Sequence, residues 1–221
     1  MRLSILGGTG DIGAGLALRW AKDTEHEILV GSRDPARARE KANEYAETLA
    51  SRGFVATIKG FENGMAADRG DVVVLAIPPY HIRDTLEAVR DRLGDAIVVT
   101  PAVGLKRNDV GARYHPPDVG SVTAFVQQLV PDGTPVVGTY HNLPAARLAD
   151  LDAELDLDTP IVADDEDAKA TVVALTEAIE GLRPIDTGPI ANAAEVESVT
   201  ALLLSIVMNN DDMHDIGVRF V

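Results

Sequence analysis

The stretch "GGTGDIGAG", Gly7 to Gly15, decides the fold of this chain of 221 residues. It follows a short apolar run at residues 3–6, which is typical of a buried strand. It leads into a pattern of apolar residues with helical spacing over residues 12–21. A glycine-rich turn between a first strand and a first helix is the context in which dinucleotide-binding folds place their phosphate site.

Gly8, Gly10 and Gly13 form the pattern G-x-G-x-x-G within this stretch. In that pattern the first glycine permits a tight turn, the second lets a pyrophosphate approach, and the third lets helix and strand pack closely. Free N–H groups at the start of the helix then favour the phosphates. The residues predicted to bind the dinucleotide here are Gly8, Thr9, Gly10, Asp11, Ile12 and Gly13.

Strands and helices alternate from the first residue, which predicts an α/β fold with an N-terminal Rossmann doubly wound parallel sheet. No linker separates two clear domains, so we expect a small C-terminal α/β region packed on the first fold. The predicted division is an NADP-binding domain at residues 1–140 and a smaller region at residues 141–221. Predicted strands include residues 54–58, 71–77 and 96–100, and residues 101–120 are predicted to be an irregular loop.

The chain is strongly acidic, with 35 acidic and 20 basic residues and a formal net charge of −15. Such a surface repels nucleic acids and anionic lipids, so neither is an expected partner. It is of the kind suited to a salt-rich cytoplasm. The absence of cysteine excludes disulfides and thiolate metal sites. No signal peptide and no apolar stretch near the roughly 20 residues of a membrane span is visible. A cytoplasmic location is therefore predicted.

The end of the second predicted strand indicates which dinucleotide binds. NAD sites usually carry a carboxylate there, which accepts a hydrogen bond from the ribose. This chain has Ser32 and Arg33 instead, with Arg37 one helical turn further on. A hydroxyl and two guanidiniums suit a 2′-phosphate, because arginine pairs bidentately with phosphate. Together with the Thr9 hydroxyl, these residues predict NADP, unless the arginines pair with neighbouring carboxylates.

Later strand ends indicate the second substrate. Ile77 and Pro78 follow one strand, and Ala102 and Val103 follow the next, so these four are expected to wall the nicotinamide. His141 follows a further strand and is expected in the cleft. The sequence has no Tyr-x-x-x-Lys pair and no histidines at metal-ligand spacing, so no catalytic acid or base and no metal are expected. Such a site suits direct hydride exchange between two coenzymes.

Several strings across the chain carry a family resemblance, namely "LGGTGDIGAGLALRWA", "VGSRDPARA", "HNLPAARLADLD", "DTPIVADDEDAK", "IEGLRPIDTGPI" and "GVRF". In this order they resemble the coenzyme F420-dependent NADP reductases. The resemblance implies reversible hydride transfer between NADP and reduced coenzyme F420, an 8-hydroxy-5-deazaflavin, without a side-chain nucleophile. It places Thr9, Ser32, Arg33 and Arg37 at the 2′-phosphate. It also places His141 and Ile216 beside the deazaflavin, and Ile77, Pro78, Ala102 and Val103 along the nicotinamide.

The sequence leaves other points open. The anionic side chain of F420 has four candidate partners, chosen by charge alone: Lys106, Arg107, Arg147 and Arg183. The loop at residues 104–119 looks longer than in relatives, so its role is undecided. A homodimer is left open, as are the physiological direction and the preferred side-chain length. The competing functions are an NADPH-dependent reductase of a small carbonyl or imine and a non-catalytic NADP-binding redox sensor.

Overall fold

The computed structural model describes residues 1–221 and contains ten strands and eight α-helices. The strands are β1 (Arg2–Leu6), β2 (Glu27–Ser32), β3 (Ile58–Glu62), β4 (Val72–Leu75), β5 (Ile97–Thr100), β6 (Leu105–Asn108), β7 (Gly111–Tyr114), β8 (Val136–Gly138), β9 (Leu157–Ala163) and β10 (Leu182–Asp186). The helices are α1 (Asp11–Asp23), α2 (Pro35–Ser51), α3 (Asn63–Ala67), α4 (Ile82–Val89), α5 (Val122–Leu129), α6 (Ala145–Ala149), α7 (Glu166–Glu177) and α8 (Ala193–Met208).

Eight of the strands form one sheet in the order β10-β9-β8-β5-β4-β1-β2-β3. All neighbours are parallel except β8 and β9. The chain runs outward from β1 in one direction to β3 and then in the other direction from β4. This change of direction creates a crevice at the carboxyl ends of β1 and β4, where doubly wound folds bind ligands. The predicted α/β Rossmann fold class is confirmed.

Two apolar clusters cover the two faces of this sheet. In the larger cluster, Trp20 of α1 donates its indole N–H to the carbonyl of Leu175 in α7 at 2.8 Å. The Trp20 ring also meets the Tyr140 ring edge-on, with 5.8 Å between centroids. These contacts join the first helix to segments from the second half of the chain in a common core.

The residues after position 140 extend the sheet at one edge. Strands β9 and β10 pair with each other, and β9 pairs with β8 in the antiparallel sense. The C-terminal region is thus α/β, as predicted, and it contributes two strands to the first fold's own sheet. The division at residue 140 stays a prediction.

The prediction for the third strand was wrong in position. Pairing with β2 begins at Ile58, opposite Ile28, whereas Val55 is fully exposed. The sequence signal was misleading because Gly60 interrupts the true strand. That glycine is required by packing, since a Cβ there would lie 2.3 Å from the backbone of Ala38 in α2.

The irregular loop predicted at residues 101–120 was also wrong, because it contains the antiparallel hairpin β6–β7. Asn108 and Gly111 form the last pair, and the Asn108 side chain accepts hydrogen bonds from the N–H groups of Val110 and Gly111 at 3.1 Å each. The short strands carry charged residues on exposed positions, so they lack the apolar alternation from which strands are predicted.

The sequence analysis expected no apolar stretch near the length of a membrane span, but helix α8 belongs to one. Together with the preceding turn it forms a 19-residue segment, Ile190–Met208, long and apolar enough to cross a membrane by length and composition. Within this segment Glu197 is fully buried and accepts hydrogen bonds from the N–H groups of Val122 and Thr123, both at 2.9 Å. Burial raises the pKa of this carboxyl. Helix α8 is therefore fixed to the N-terminus of α5.

Candidate functional site

The glycine turn after β1 has the geometry of a phosphate cradle. A Cβ at Gly8 would lie 2.9 Å from the Ile5 carbonyl oxygen, and one at Gly13 would lie 2.8 Å from the Gly7 carbonyl oxygen. Both glycines are therefore required by the fold. Gly10 instead has room for a Cβ and precedes α1 without a capping side chain, so the first N–H groups of α1 are free to bind a ligand.

A tyrosine that sequence analysis missed forms a hydrogen bond with the backbone of this turn. The buried Tyr45 of α2 donates its hydroxyl to the Gly8 carbonyl at 2.9 Å, and burial raises its pKa to about 12. The hydroxyl therefore remains a donor at neutral pH. Because the contact joins residues 37 positions apart, no local sequence pattern indicated it.

The predicted basic residues lie around the same crevice. Thr9, Ser32, Arg33 and Arg37 all line a cavity of about 320 Å³ that also includes Gly7 and Gly10. Both arginines are exposed and neither forms an ion pair. Asp34, which follows Arg33 in the sequence, accepts hydrogen bonds from the N–H groups of Ala36 and Arg37 and so caps α2. The guanidiniums are therefore free to meet an anion.

Asn63 is a further polar residue of this cavity that sequence analysis missed. It lies at the carboxyl end of β3, it is buried, and its side-chain oxygen has no hydrogen-bond partner. A buried acceptor without a donor is costly, which suggests that a bound ligand supplies one. Ligands bind at the carboxyl ends of the strands. The third strand was predicted to end at residue 58, so Asn63 was not recognised as a residue at a strand end.

The residues expected along the nicotinamide divide into two groups. Ile77 and Pro78 line the same cavity as the glycine turn, and a Cβ at Gly7 would lie 2.6 Å from the Ile77 side chain. Ala102 and Val103 do not line it. They follow β5, the strand next to β4, with Ala102 buried and Val103 half-buried.

A second cavity, of about 390 Å³, has mostly apolar walls and contains both His141 and Ile216. His141 is 6% exposed, and neither of its ring nitrogens has a hydrogen-bond partner. Burial lowers its pKa to about 3, so the imidazole is neutral at physiological pH. The His141 carbonyl accepts a hydrogen bond from Thr200 of α8 at 2.7 Å. A neutral ring with one free donor and one free acceptor therefore faces this cavity.

Tyr140 turns the chain into this position. Its φ of 65° is in the left-handed region, which a non-glycine residue adopts only when its surroundings hold it there. The Tyr140 N–H donates to the Thr159 hydroxyl at 3.1 Å, and its own hydroxyl shares a hydrogen bond with Thr176 at 2.8 Å. These partners come from β9 and α7, so residues after position 157 fix the direction of His141.

Ile216 reaches the second cavity because the C-terminal segment is fixed to β9. The N–H of Asp158 donates to the Val218 carbonyl at 2.9 Å, and the Asp158 carboxylate accepts a hydrogen bond from the Phe220 N–H at 2.6 Å. Arg183 of β10 binds the same carboxylate, and this contact holds the pKa of Asp158 below its usual value. The buried carboxylate is therefore the anchor of the segment that carries Ile216.

The two cavities lie at the end of the sheet where the parallel strands have their carboxyl ends. In sheet order, the residues at or just after the carboxyl ends of the strands are Ser32 (β2), Gly7 (β1), Ile77 (β4), Ala102 (β5) and His141 (β8). Neighbouring strands are about 4.8 Å apart. The end of β5, followed by Ala102 and Val103, therefore lies between the crevice at the glycine turn and the apolar cavity. Fold and site together define a Rossmann-type dinucleotide-binding protein with a second ligand cavity.

Comparisons with known proteins identify the family. Residues 2–104 match the family model described as NADP oxidoreductase, coenzyme F420-dependent. The F420-dependent NADP reductase of Methanocaldococcus jannaschii is 39% identical over 208 residues, which cover 93% of this chain and 92% of that protein. The F420-dependent NADP reductase of Methanothermobacter thermautotrophicus is 32% identical over 99% of this chain and 94% of that protein. The chain belongs to the F420-dependent NADP reductase family.

A solved structure supports the fold over the full length. An Arthrobacter sp. FB24 protein, proposed to be an F420-dependent NADP reductase, has a TM-score of 0.80 to this chain and is 22% identical. The match covers 100% of this chain and 99% of that one. At this level of identity the likeness extends to the fold, including the C-terminal strands.

Proposed function

We propose that this protein transfers a hydride between reduced coenzyme F420 and NADP⁺, reversibly. The observation that carries the proposal is the pair of cavities at the carboxyl ends of the sheet strands, one with a glycine turn and arginines that form no ion pair, the other apolar with an unpartnered histidine. Relatives that match nearly the whole chain bear the name of this activity. The chain is an oxidoreductase, and its coenzymes are NADP and F420.

The residues proposed to hold NADP follow from the first cavity. The free N–H groups at the start of α1, with Gly8, Gly10, Asp11, Ile12 and Gly13 in and around the turn, bind the pyrophosphate. The 2′-phosphate is bound by the hydroxyl and guanidinium groups around the crevice, from Thr9, Ser32, Arg33 and Arg37. Ile77 and Pro78, with Ala102 and Val103 after the next strand, form the apolar wall at the nicotinamide end.

The residues proposed to hold the deazaflavin line the second cavity. Ile216 and the apolar side chains of α8 exclude water. Neutral His141 offers one donor and one acceptor to the polar atoms of the ring system. When both coenzymes are bound, they supply the chemistry, which is direct passage of a hydride between deazaflavin and nicotinamide. The protein's contribution is to position the rings, and no side chain is assigned as a catalytic acid or base and none as a metal ligand.

One experiment separates this function from its two competitors. Purified protein is mixed with NADPH and oxidised F420, and the absorbance of the oxidised deazaflavin is followed. Loss of that absorbance supports the proposal. Turnover of a small carbonyl or imine without any change in F420 would make the protein a different NADPH-dependent reductase. NADPH binding without turnover of either substrate would leave a redox sensor.

Assembly and location belong to the same proposal. Leu202 of α8 is 60% exposed, although it lies within the apolar segment Ile190–Met208. An exposed apolar side chain on this helix favours association, so we propose a homodimer through α8. The acidic composition favours a cytoplasmic protein of a salt-rich cell, without nucleic-acid or membrane partners. Light scattering would test the dimer, and a Leu202→Glu variant should be monomeric.

The two coenzymes are proposed to bind to successive parts of the chain. Residues 1–140 hold NADP and residues 141–221 complete the F420 cavity. Support comes from the origin of the lining residues: His141, Thr200 and Ile216 all lie after position 140. The exception is the hairpin β6–β7, whose Leu105 and Arg107 also line the second cavity.

A further inference from the structure

We infer that the hairpin β6–β7 forms a binding site for the anionic side chain of the deazaflavin coenzyme, with Arg107 as the direct contact. This inference rests on the proposed function. F420 carries a phosphodiester and carboxylates on a side chain attached to the deazaflavin, so a protein of net charge −15 needs a local cationic surface to bind it.

The hairpin is placed at the cavity by its own register. Leu105 and Arg107 are two positions apart on β6 and therefore lie on the same face, and both line the cavity that contains His141. Lys106 lies on the opposite face. The cavity thus combines apolar walls for a ring system with one guanidinium for an anion.

Helix α8 holds the hairpin in this position. The Ser205 hydroxyl of α8 accepts a hydrogen bond from the Ala112 N–H and donates one to the Ala112 carbonyl, both at 3.0 Å. The Asn209 side chain donates to the Val110 carbonyl at 3.2 Å. Because Leu203 and Leu204 of the same helix line the cavity, the hairpin and the cavity wall form one structural unit.

The charges of the hairpin have no partners within the protein. Lys106, Arg107 and Arg113 are absent from every ion pair of the structure. Lys106 lies directly opposite Arg113 in the ladder, and like charges in that arrangement are destabilising. The three cations of the hairpin outnumber its one carboxylate, Asp109 in the turn, so they raise the local potential and favour an anionic ligand.

The two other candidate cations are already engaged within the protein. Arg147 donates from Nε and Nη2 to the Glu154 carbonyl, and Arg183 is bound to the buried Asp158 carboxylate. The cavity's other charged lining residue is Asp215, which repels an anion. Of the four cations that the sequence offered for the side chain, only the two on the hairpin are therefore free, and only Arg107 lines the cavity.

The test compares the whole coenzyme with its 8-hydroxy-5-deazaflavin ribityl fragment, which lacks the phosphate and the carboxylates. Dissociation constants are measured by fluorescence titration for the wild type and for Arg107→Gln. The variant should bind oxidised F420 about tenfold more weakly, the loss expected for one charge-assisted hydrogen bond at an exposed site. Its affinity for the fragment and for NADP should not change.

Two comparisons keep the test decisive. Arg52→Gln removes an exposed arginine paired with Asp152 at the far end of α2, and it should leave all three affinities unchanged. A coenzyme form with the phosphodiester but without glutamates assigns the contact: a persistent effect of Arg107→Gln identifies the phosphate, and a lost effect identifies the carboxylates. Both results support the site.

Equal weakening of F420 and fragment would overturn the inference, because Arg107 would then only shape the cavity wall. No weakening of either would overturn it as well. Failure of the wild type to bind both molecules would instead refute the proposed function, so the two failures are distinguishable.

Discussion

Arg183 binds the carboxylate of Asp158 through two parallel hydrogen bonds, Nε to Oδ1 at 2.7 Å and Nη2 to Oδ2 at 2.6 Å. The Asp158 side chain is fully buried, and it also accepts the Phe220 N–H. A bidentate pair of this kind is strong and fixes geometry. It links β9, β10 and the C-terminal segment, and through that segment it positions Ile216 at the second cavity.

Asp158→Asn should release the C-terminal segment. The amide keeps the volume but cannot accept all the hydrogen bonds that the carboxylate receives. Arg183 also loses the negative charge with which it pairs. We expect a fall of about 3 kcal/mol in the free energy of unfolding, measured by urea denaturation. F420 should bind more weakly while NADP binding is retained. Asp152→Asn, at an exposed carboxylate, is the matched control, and equal losses in both variants would contradict the anchoring role.

Arg33→Ala should impair NADP far more than F420. The guanidinium lines the first cavity without an internal partner, so its removal costs the bound coenzyme a charge-assisted contact and disturbs nothing else. We expect the KM for NADP to rise about ten- to a hundredfold, with the KM for F420 little changed. Steady-state kinetics with each coenzyme varied in turn give both values. Parallel increases in the two constants would refute the 2′-phosphate assignment.

The parts of this structure that were predictable share one property, which is that their signals are local. The glycine turn lies between β1 and α1, and the pair Arg33 and Arg37 lies at the start of α2. The residue types at these positions follow from local steric and hydrogen-bonding requirements, so they can be recognised in the sequence.

The parts that were missed depend on contacts between distant segments. Nothing near Tyr45 indicates that its hydroxyl supports Gly8, and nothing near Asn63 indicates its burial. The hairpin β6–β7 is stabilised by Ser205, about 93 residues away, and not by an apolar pattern of its own. The family resemblance named Ile216, but only the folded chain shows that Asp158 holds its segment in place.

His141→Asn should alter the pH dependence of stability. In the folded protein burial lowers the His141 pKa to about 3, whereas in the unfolded chain it is about 6.5. Below pH 6.5 the unfolded state takes up a proton that the folded state does not, so this contribution to stability is complete above pH 6.5 and is lost as the pH falls towards 3. Between pH 7 and pH 5 the loss is about 2 kcal/mol.

The measurement is the free energy of unfolding at pH 7 and at pH 5 for the wild type, for His141→Asn and for His214→Asn. His214 is exposed, so its variant should follow the wild type. The wild type should lose more stability than His141→Asn over this range. Identical losses in the wild type and His141→Asn would show that the folded state accommodates a protonated His141.

Gly10→Ala and Gly8→Ala should differ in their effect on stability, although both alter the same turn. Gly10 has φ −94° and ψ 171°, which alanine adopts readily, and the nearest atom to its added Cβ is the Gly7 carbonyl oxygen at 3.4 Å. Gly10→Ala should therefore keep the thermal midpoint while its methyl group obstructs the pyrophosphate and weakens NADP binding about tenfold or more. In Gly8→Ala the Cβ meets the Ile5 carbonyl at 2.9 Å, so the thermal midpoint should fall. Calorimetry and NADP titration test both variants. Undiminished NADP affinity in Gly10→Ala would show that the pyrophosphate does not lie over this turn.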